Sequence, residues 1–191
     1  MTFEIELKAH VEDVGTLKMI LAEKAEYTCA FEKQDVYWFP VKLRLRREKL
    51  ISPLGNEKKR CLLTWKKKEV IDGIEINEER EFEIQCGPDQ TLEQFDEILY
   101  HLGLKPGASK QKQGWAFIQN ENQSNSGQIF AELVEVKGLG WFLELEIIAR
   151  DKNEETILKG KERLLAFLDD LGIKREAIES RFYSEMLECR K

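Results

Sequence analysis

Charged side chains recur at every second position in three short stretches: Glu4-Ile5-Glu6-Leu7-Lys8, Leu43-Arg44-Leu45-Arg46 and Phe142-Leu143-Glu144-Leu145-Glu146. A period of two belongs to a β-strand, whose side chains alternate faces. Each stretch therefore carries its acids or bases on one face and its apolar groups on the other. On an open sheet such alternation means only that one face is wet. Here the polar faces hold long acids and bases of both signs on nearly every strand, while the intervening helices need an apolar sheet face to cover. A closed barrel with a charged, water-filled interior and an apolar exterior under helices satisfies both demands. Carboxylates gathered near ammonium and guanidinium groups suit the holding of a divalent metal against a polyphosphate, the acids as hard oxygen ligands and the bases as an anion clamp.

The rest of the chain supports strands with helices outside. Residues 2–9 read as a strand and 11–24 as a helix, with Val14, Leu17, Ile20 and Leu21 at helical spacing. The segment 27–39 contains a strand at 34–39, closed by Pro40. Residues 41–49 and 61–70 form two arms around the turn residues Ser52-Pro53-Leu54-Gly55-Asn56, and Asp72-Gly73 marks the next turn. Residues 76–84 give a strand with Glu79, Glu81 and Glu83 on one face, and 92–102 an amphipathic helix ended by Gly103. Strands at 110–119 and 128–137 flank a polar tip at 120–127, and Gly138-Leu139-Gly140 turns into 141–149. Helices at 154–171 and 175–188 finish the chain. About eight strands, mostly in hairpins, with three or four helices predict an α+β fold on an antiparallel sheet. No repeat or linker divides residues 1–191, so a single domain is expected.

Composition narrows the function classes. With 35% charged and 42% hydrophobic residues the chain is folded rather than disordered. A net charge of -6 argues against a general binder of nucleic-acid polymers, although 30 Lys and Arg suffice for a basic pocket. Cys29, Cys61, Cys86 and Cys189 lie far apart with no C-x-x-C pair, so reduced thiols are expected and a structural zinc is not. A charged opening strand, with no signal and no membrane-length apolar run, predicts a cytoplasmic protein without a membrane partner.

Alone, Glu4, Glu6 and Lys8 fit a solvated strand face equally well; the second E-x-E, Glu144 and Glu146, gives them weight. Gln34-Asp35-Val36-Tyr37 fits a Q-x-D-x-Y strand, Arg44 and Arg46 an R-x-R pair, and Thr64 and Lys66 a T-x-K strand. Lys110 and Lys112 form a K-x-K pair, and Arg181-Phe182-Tyr183 is followed by Met186 and Leu187. In this order, and over nearly the whole chain, these pieces resemble the CYTH superfamily of triphosphate tunnel metalloenzymes. That superfamily includes class IV adenylyl cyclases, thiamine triphosphatases and inorganic triphosphatases.

The resemblance implies an eight-stranded antiparallel tunnel that binds a triphosphate with one or two Mg²⁺ or Mn²⁺ ions. Glu4, Glu6, Glu144 and Glu146 would face the metal. Lys8, Arg44, Arg46, Lys66, Lys110 and Lys112 would hold the phosphates, with Glu4, Glu6, Lys8 and Lys66 carrying the catalysis. Crowded acids need a cation and crowded bases an anion, and a metal–triphosphate complex supplies both. Lys68 shares a face with Lys66 and is either a further phosphate contact or part of a solvated edge. Among Glu79, Glu81 and Glu83, Glu81 is expected to face the tunnel. Tyr183 either covers one mouth or is a core tyrosine. His10 and His101 have no motif context, and Trp38, Trp65, Trp115 and Trp141 are assigned to packing. Three departures stand out. Val134 replaces a frequent aspartate, with Glu132 two residues earlier as its substitute. Lys112 lacks the bidentate fork of arginine. The His-Phe pair that precedes E-x-E-x-K in some class IV cyclases is missing. The expected activity is metal-dependent hydrolysis of inorganic triphosphate, ATP or thiamine triphosphate by a monomer or homodimer. The alternatives are a class IV adenylyl cyclase and a non-catalytic polyphosphate- or nucleotide-binding module.

Overall fold

The structure, a computed structural model, describes residues 2–71, 74–85, 91–120 and 127–189. The expected Asp72-Gly73 turn, Cys86 and residues 121–126 of the hairpin tip lie outside these ranges. Eight strands form: β1 (Thr2–His10), β2 (Glu26–Phe39), β3 (Leu43–Ile51), β4 (Glu57–Ile71), β5 (Ile74–Glu83), β6 (Lys105–Gln119), β7 (Ile129–Val136) and β8 (Gly140–Ala149). They close into a barrel in the order β1-β5-β4-β3-β2-β6-β7-β8, antiparallel throughout. The closed antiparallel barrel with helices outside is the architecture that the alternation predicts.

Alternation explains the layering. Ile5, Leu7 and Ala9 of β1 point outward with Leu133, Leu143 and Leu145, and all are buried beneath helices α1 (Val14–Lys24) and α3 (Glu154–Asp170). Each such leucine contributes about 1.5–3 kcal/mol by leaving water. Gly160 lets α3 lie close to β1, since a Cβ there would stand 2.5 Å from Ile5 Cδ1. A second apolar layer, Trp38, Leu45 and Cys61, lies under Leu99 of helix α2 (Leu92–His101). The helices start where the sequence caps them: the Asp13 carboxylate accepts the Thr16 N–H at 3.0 Å, and Thr91 and Gln94 form a capping box. Among the described residues no helix is long and apolar enough to cross a membrane.

Residues 175–188 differ from the single helix that their spacing predicts. A 3-10 turn at Arg175–Ala177 is followed by extended backbone and then a short helix, α4 (Tyr183–Glu188). Pairing with β1 takes the backbone groups a helix would need: Ile178 bridges Ala9, and the Glu179 N–H donates to the Lys8 carbonyl at 2.8 Å. Helix α4 then packs Tyr183 and Met186 against Phe31, Val134, Val136 and Phe142, filling one end of the barrel with apolar side chains.

Candidate active site

Register brings distant charges together. Across β1 and β8, Glu6 lies opposite Glu146 and Lys8 opposite Glu144, and across β7 and β8 Glu132 lies opposite Glu144. Around the ring, the same inward face carries Glu75, Asn77, Glu79 and Glu81 of β5 and Thr64, Lys66 and Lys68 of β4. It continues with Arg44 and Arg46 of β3, Lys33 and Asp35 of β2, and Lys110 and Lys112 of β6. Thus the strand residues expected to form the site all line one lumen.

At one side the acids crowd. The Lys66 ammonium lies 2.5 Å from Glu4, 3.1 Å from Glu79 and 3.5 Å from Glu6. Burial pushes the Glu4 carboxyl up to about 7 against the pull of Lys66, with Glu79 adding repulsion. Burial, followed by Glu4 and Glu6, raises Glu146 well above the usual carboxylate range. Among the described residues Glu146 forms no ion pair, and the buried Oδ1 of Asn77 has no hydrogen-bond partner while its Nδ2 donates to Glu6 at 3.2 Å. No three acidic, histidine or cysteine side chains among the described residues already stand as a metal-ligand group; the Lys66 ammonium lies between the acids as their counter-ion. A crowded set of hard oxygens, one of them an orphaned acceptor, suits a divalent cation such as Mg²⁺ or Mn²⁺.

The other side is basic, and each base faces an internal carboxylate. Lys8 pairs with Glu75 in a fully buried contact, and Lys68 reaches the same carboxylate at 3.0 Å. Burial opposes ionisation of Glu75, but Lys68 and Lys8 outweigh it and hold the group at about 2. Arg44 donates to Glu79 at 2.9 Å and to Thr64 at 3.0 Å; despite burial, Lys66 and Arg44 keep Glu79 at about 2. Arg46 grips Asp35 with two bonds of 2.7 and 3.0 Å, and Lys110 lies 3.5 Å away. Lys112 donates to Glu144 at 2.6 Å and, against burial, holds that carboxyl well below its ordinary range. Burial, with Lys112 and Lys68 nearby, lowers the Lys110 ammonium, which marks a cation short of negative charge. The Tyr183 ring caps this group, 5.5 Å from Lys8 and Lys110 and 4.8 Å from Lys112. Its buried hydroxyl has no partner in good hydrogen-bonding geometry among the described residues. Burial and then the adjacent Glu144 push it well above the usual phenol range.

Solved structures share this barrel. The PH1819 protein from Pyrococcus horikoshii OT3 aligns with a TM-score of 0.75 at 25% identity, over 98% of this chain and 99% of that one. A candidate adenylate cyclase from Vibrio parahaemolyticus aligns with a TM-score of 0.70 at 19% identity, over 97% and 98%. HpAC1 from Hippeastrum, a candidate adenylyl cyclase with a dominant triphosphatase activity, gives 0.61 at 17%, over 100% and 95%. The chain shares the closed-barrel fold of these proteins. No protein-family model and no curated protein matches the sequence.

Within the tunnel, several expectations resolve. Glu79 and Glu81 both face the lumen, Glu79 deep against Lys66 and Arg44, and Glu81 at 38% exposure, 3.3 Å from Arg44. Lys68 points inward to Glu75 rather than along a solvated edge. Val134 is fully buried in the apolar cluster around Phe142 and Tyr183; Glu132 stays in the lumen, 2.5 Å from Lys33. The residues that sequence reasoning missed are Lys33, Asp35, Glu75, Asn77 and Glu79. Glu75 and Asn77 share the parity of Glu79, but a strand begun at Ile76 hides that they continue its face. Trp38 is buried under α2, and Trp115 stacks on Trp141 at 5.5 Å on the outer wall, as expected of packing residues. A cavity of about 790 Å³ opens beside Leu92 of α2. Its lining takes in Glu32, Gln34, Gln111 and Gln113, which alternate with the inward set, together with Lys33, Glu48 and Lys112 of the inward set itself.

Proposed function

We propose that this tunnel hydrolyses a phosphoanhydride bond of a triphosphate with Mg²⁺ or Mn²⁺ bound. The observation that carries the reading is the division of the lumen. Glu4, Glu6 and Glu79 crowd around Lys66 with Glu146 beside them, while Lys8, Lys68, Arg44, Arg46, Lys110 and Lys112 line the remainder against internal carboxylates. Glu4, Glu6 and Glu146 would hold the metal, and Glu144 would join them once Lys112 turns to a phosphate. Bound there, the ion would neutralise charge developing on the transferred phosphoryl group. Arg44 and Arg46 present planar forks to phosphate oxygens, and the lysines add point charges. As phosphates enter, Lys8, Lys66 and Lys68 exchange carboxylate partners for phosphate oxygens, which fixes the substrate in line for attack. A lumen glutamate prepares the water. A cytoplasmic setting agrees with Cys29 and Cys189, neither of which is in a disulfide.

The triphosphatase activity of HpAC1 supports hydrolysis, while the candidate cyclases among the similar structures support a second reading in which the ribose 3′-hydroxyl of ATP replaces water. Product analysis by anion-exchange chromatography separates them. With Mg²⁺ or Mn²⁺, hydrolysis releases orthophosphate from ATP, inorganic triphosphate or thiamine triphosphate, and Glu4→Gln lowers the rate by about 10²-fold or more. Turnover that needs no metal, or that survives Glu4→Gln and Glu144→Gln unchanged, overturns the hydrolase. Cyclic AMP with equimolar pyrophosphate makes the protein a cyclase, and tight binding without product makes it a binding module.

A further inference from the structure

Beyond the acids the lumen changes character. Two residues past Glu146 and Glu132, on the same inward faces, stand Ile148 and Phe130, and Ile118 of β6 lies directly opposite Phe130. Phe130 is itself the cross-strand partner of Glu146, and Ile148 that of Glu4, so this apolar wall begins where the acids end. Phe130 and Ile118 are half-buried and Ile148 is 41% exposed. Among the described residues the three side chains pack into none of the apolar cores beneath the helices. Apolar groups open to water beside these acids leave burial unused, and a ligand can recover it.

The facing wall of the same rim carries two carboxylates, with the buried Leu62 on the strand between them. Two residues past Glu79 comes Glu81, which accepts from the Thr64 hydroxyl at 3.0 Å, and two past Arg46 comes Glu48, buried against Arg60 at 2.7 Å. A further phosphate entering here would meet the Glu81 carboxylate and an arginine already committed to Glu48. A planar ring would instead lay its face on Phe130 and turn its polar edge to Glu81.

We propose that Ile118, Phe130 and Ile148 form a subsite for the aromatic heterocycle of a triphosphate ester, which makes the tunnel select such esters over inorganic triphosphate. This rests on the triphosphate-tunnel reading above. The test is kcat/KM of the full chain with Mn²⁺ for ATP, thiamine triphosphate and inorganic triphosphate, in wild type, Phe130→Ala and Ile148→Ala. The ratio of the better ester to inorganic triphosphate falls about tenfold in Phe130→Ala, the size of one ring-on-aromatic stack. It falls by less in Ile148→Ala, and the two ester arms tell which heterocycle is preferred. A ratio unmoved in both variants overturns the subsite, as does a wild type that prefers inorganic triphosphate to both esters. Should Phe130→Ala lose its cooperative melting transition, Ile148→Ala, altered at a more exposed position, reads the same ratio. Failure of hydrolysis itself looks different, because wild type then releases no orthophosphate from any substrate. The ratio of calorimetric Kd values for the same ligands and variants then decides the subsite.

Discussion

Glu4 and Glu146 carry a distinct pH signature, because burial and neighbouring acids favour their protonated forms. A carboxyl raised in the folded state stabilises the fold fully below its unfolded pKa of about 4.3 and loses that contribution as pH rises through its folded value. For Glu4 the loss runs up to about 7. Glu75 and Glu79, held at about 2, act in the opposite sense: their contribution is present above the unfolded value and lost as pH falls toward 2. The metal-free protein is therefore expected to melt highest in mildly acidic buffer and at lower Tm toward pH 8. Mn²⁺, which competes with protons for the same oxygens, raises Tm more at about pH 8 than at about pH 5.5. Thermal melts across that range with and without the ion check this. An increment from Mn²⁺ that is equal at both ends sinks it.

Strand pairing sets tolerances that a list of charges does not reveal. Gly114 of β6 lies opposite Val134 of β7 so closely that a Cβ would stand 2.1 Å from the Leu133 carbonyl oxygen, part of the backbone. Gly114→Ala is expected to cost about 1–3 kcal/mol through the shift this forces and to lower Tm by several degrees; an unchanged denaturant midpoint would contradict the close approach. Alternation made Glu4, Glu6, Arg44, Arg46, Glu144 and Glu146 legible in the sequence, since a period of two with charge on one face needs no partner to be seen. Pairing was not legible to the same degree. Whether Glu79 or Glu81 sits deeper depends on which residue of β4 faces it, and Lys66 opposite Glu79 decides that. The segment 175–188 has helical spacing, yet Ile178 and Glu179 are claimed by a strand that lies far away in sequence. Local periodicity holds no information about such a contact.

Taken together, the barrel is an acidic protein built around a lumen whose bases face its own carboxylates. A polyanion that takes over several of these contacts binds the folded chain and not the unfolded one. ATP with Mn²⁺ is accordingly expected to raise Tm, by an amount equivalent to about 2.7 kcal/mol at a hundredfold excess over Kd. The part of the increment due to rim charges shrinks with added salt, while buried contacts are screened less. A Tm that does not move with millimolar ATP and Mn²⁺ would rule the lumen out as a triphosphate site.

The ring is shut by its first strand, with β1 hydrogen-bonded to β5 on one side and to β8 on the other. On the ribosome, β1 emerges long before β8 is made and must wait for it with its pairing groups unmet. Glu4 and Glu6 therefore have no Glu144 or Glu146 beside them until the seam closes. Among the described residues, closure also leaves no unpaired sheet edge on which another nascent chain could add a strand.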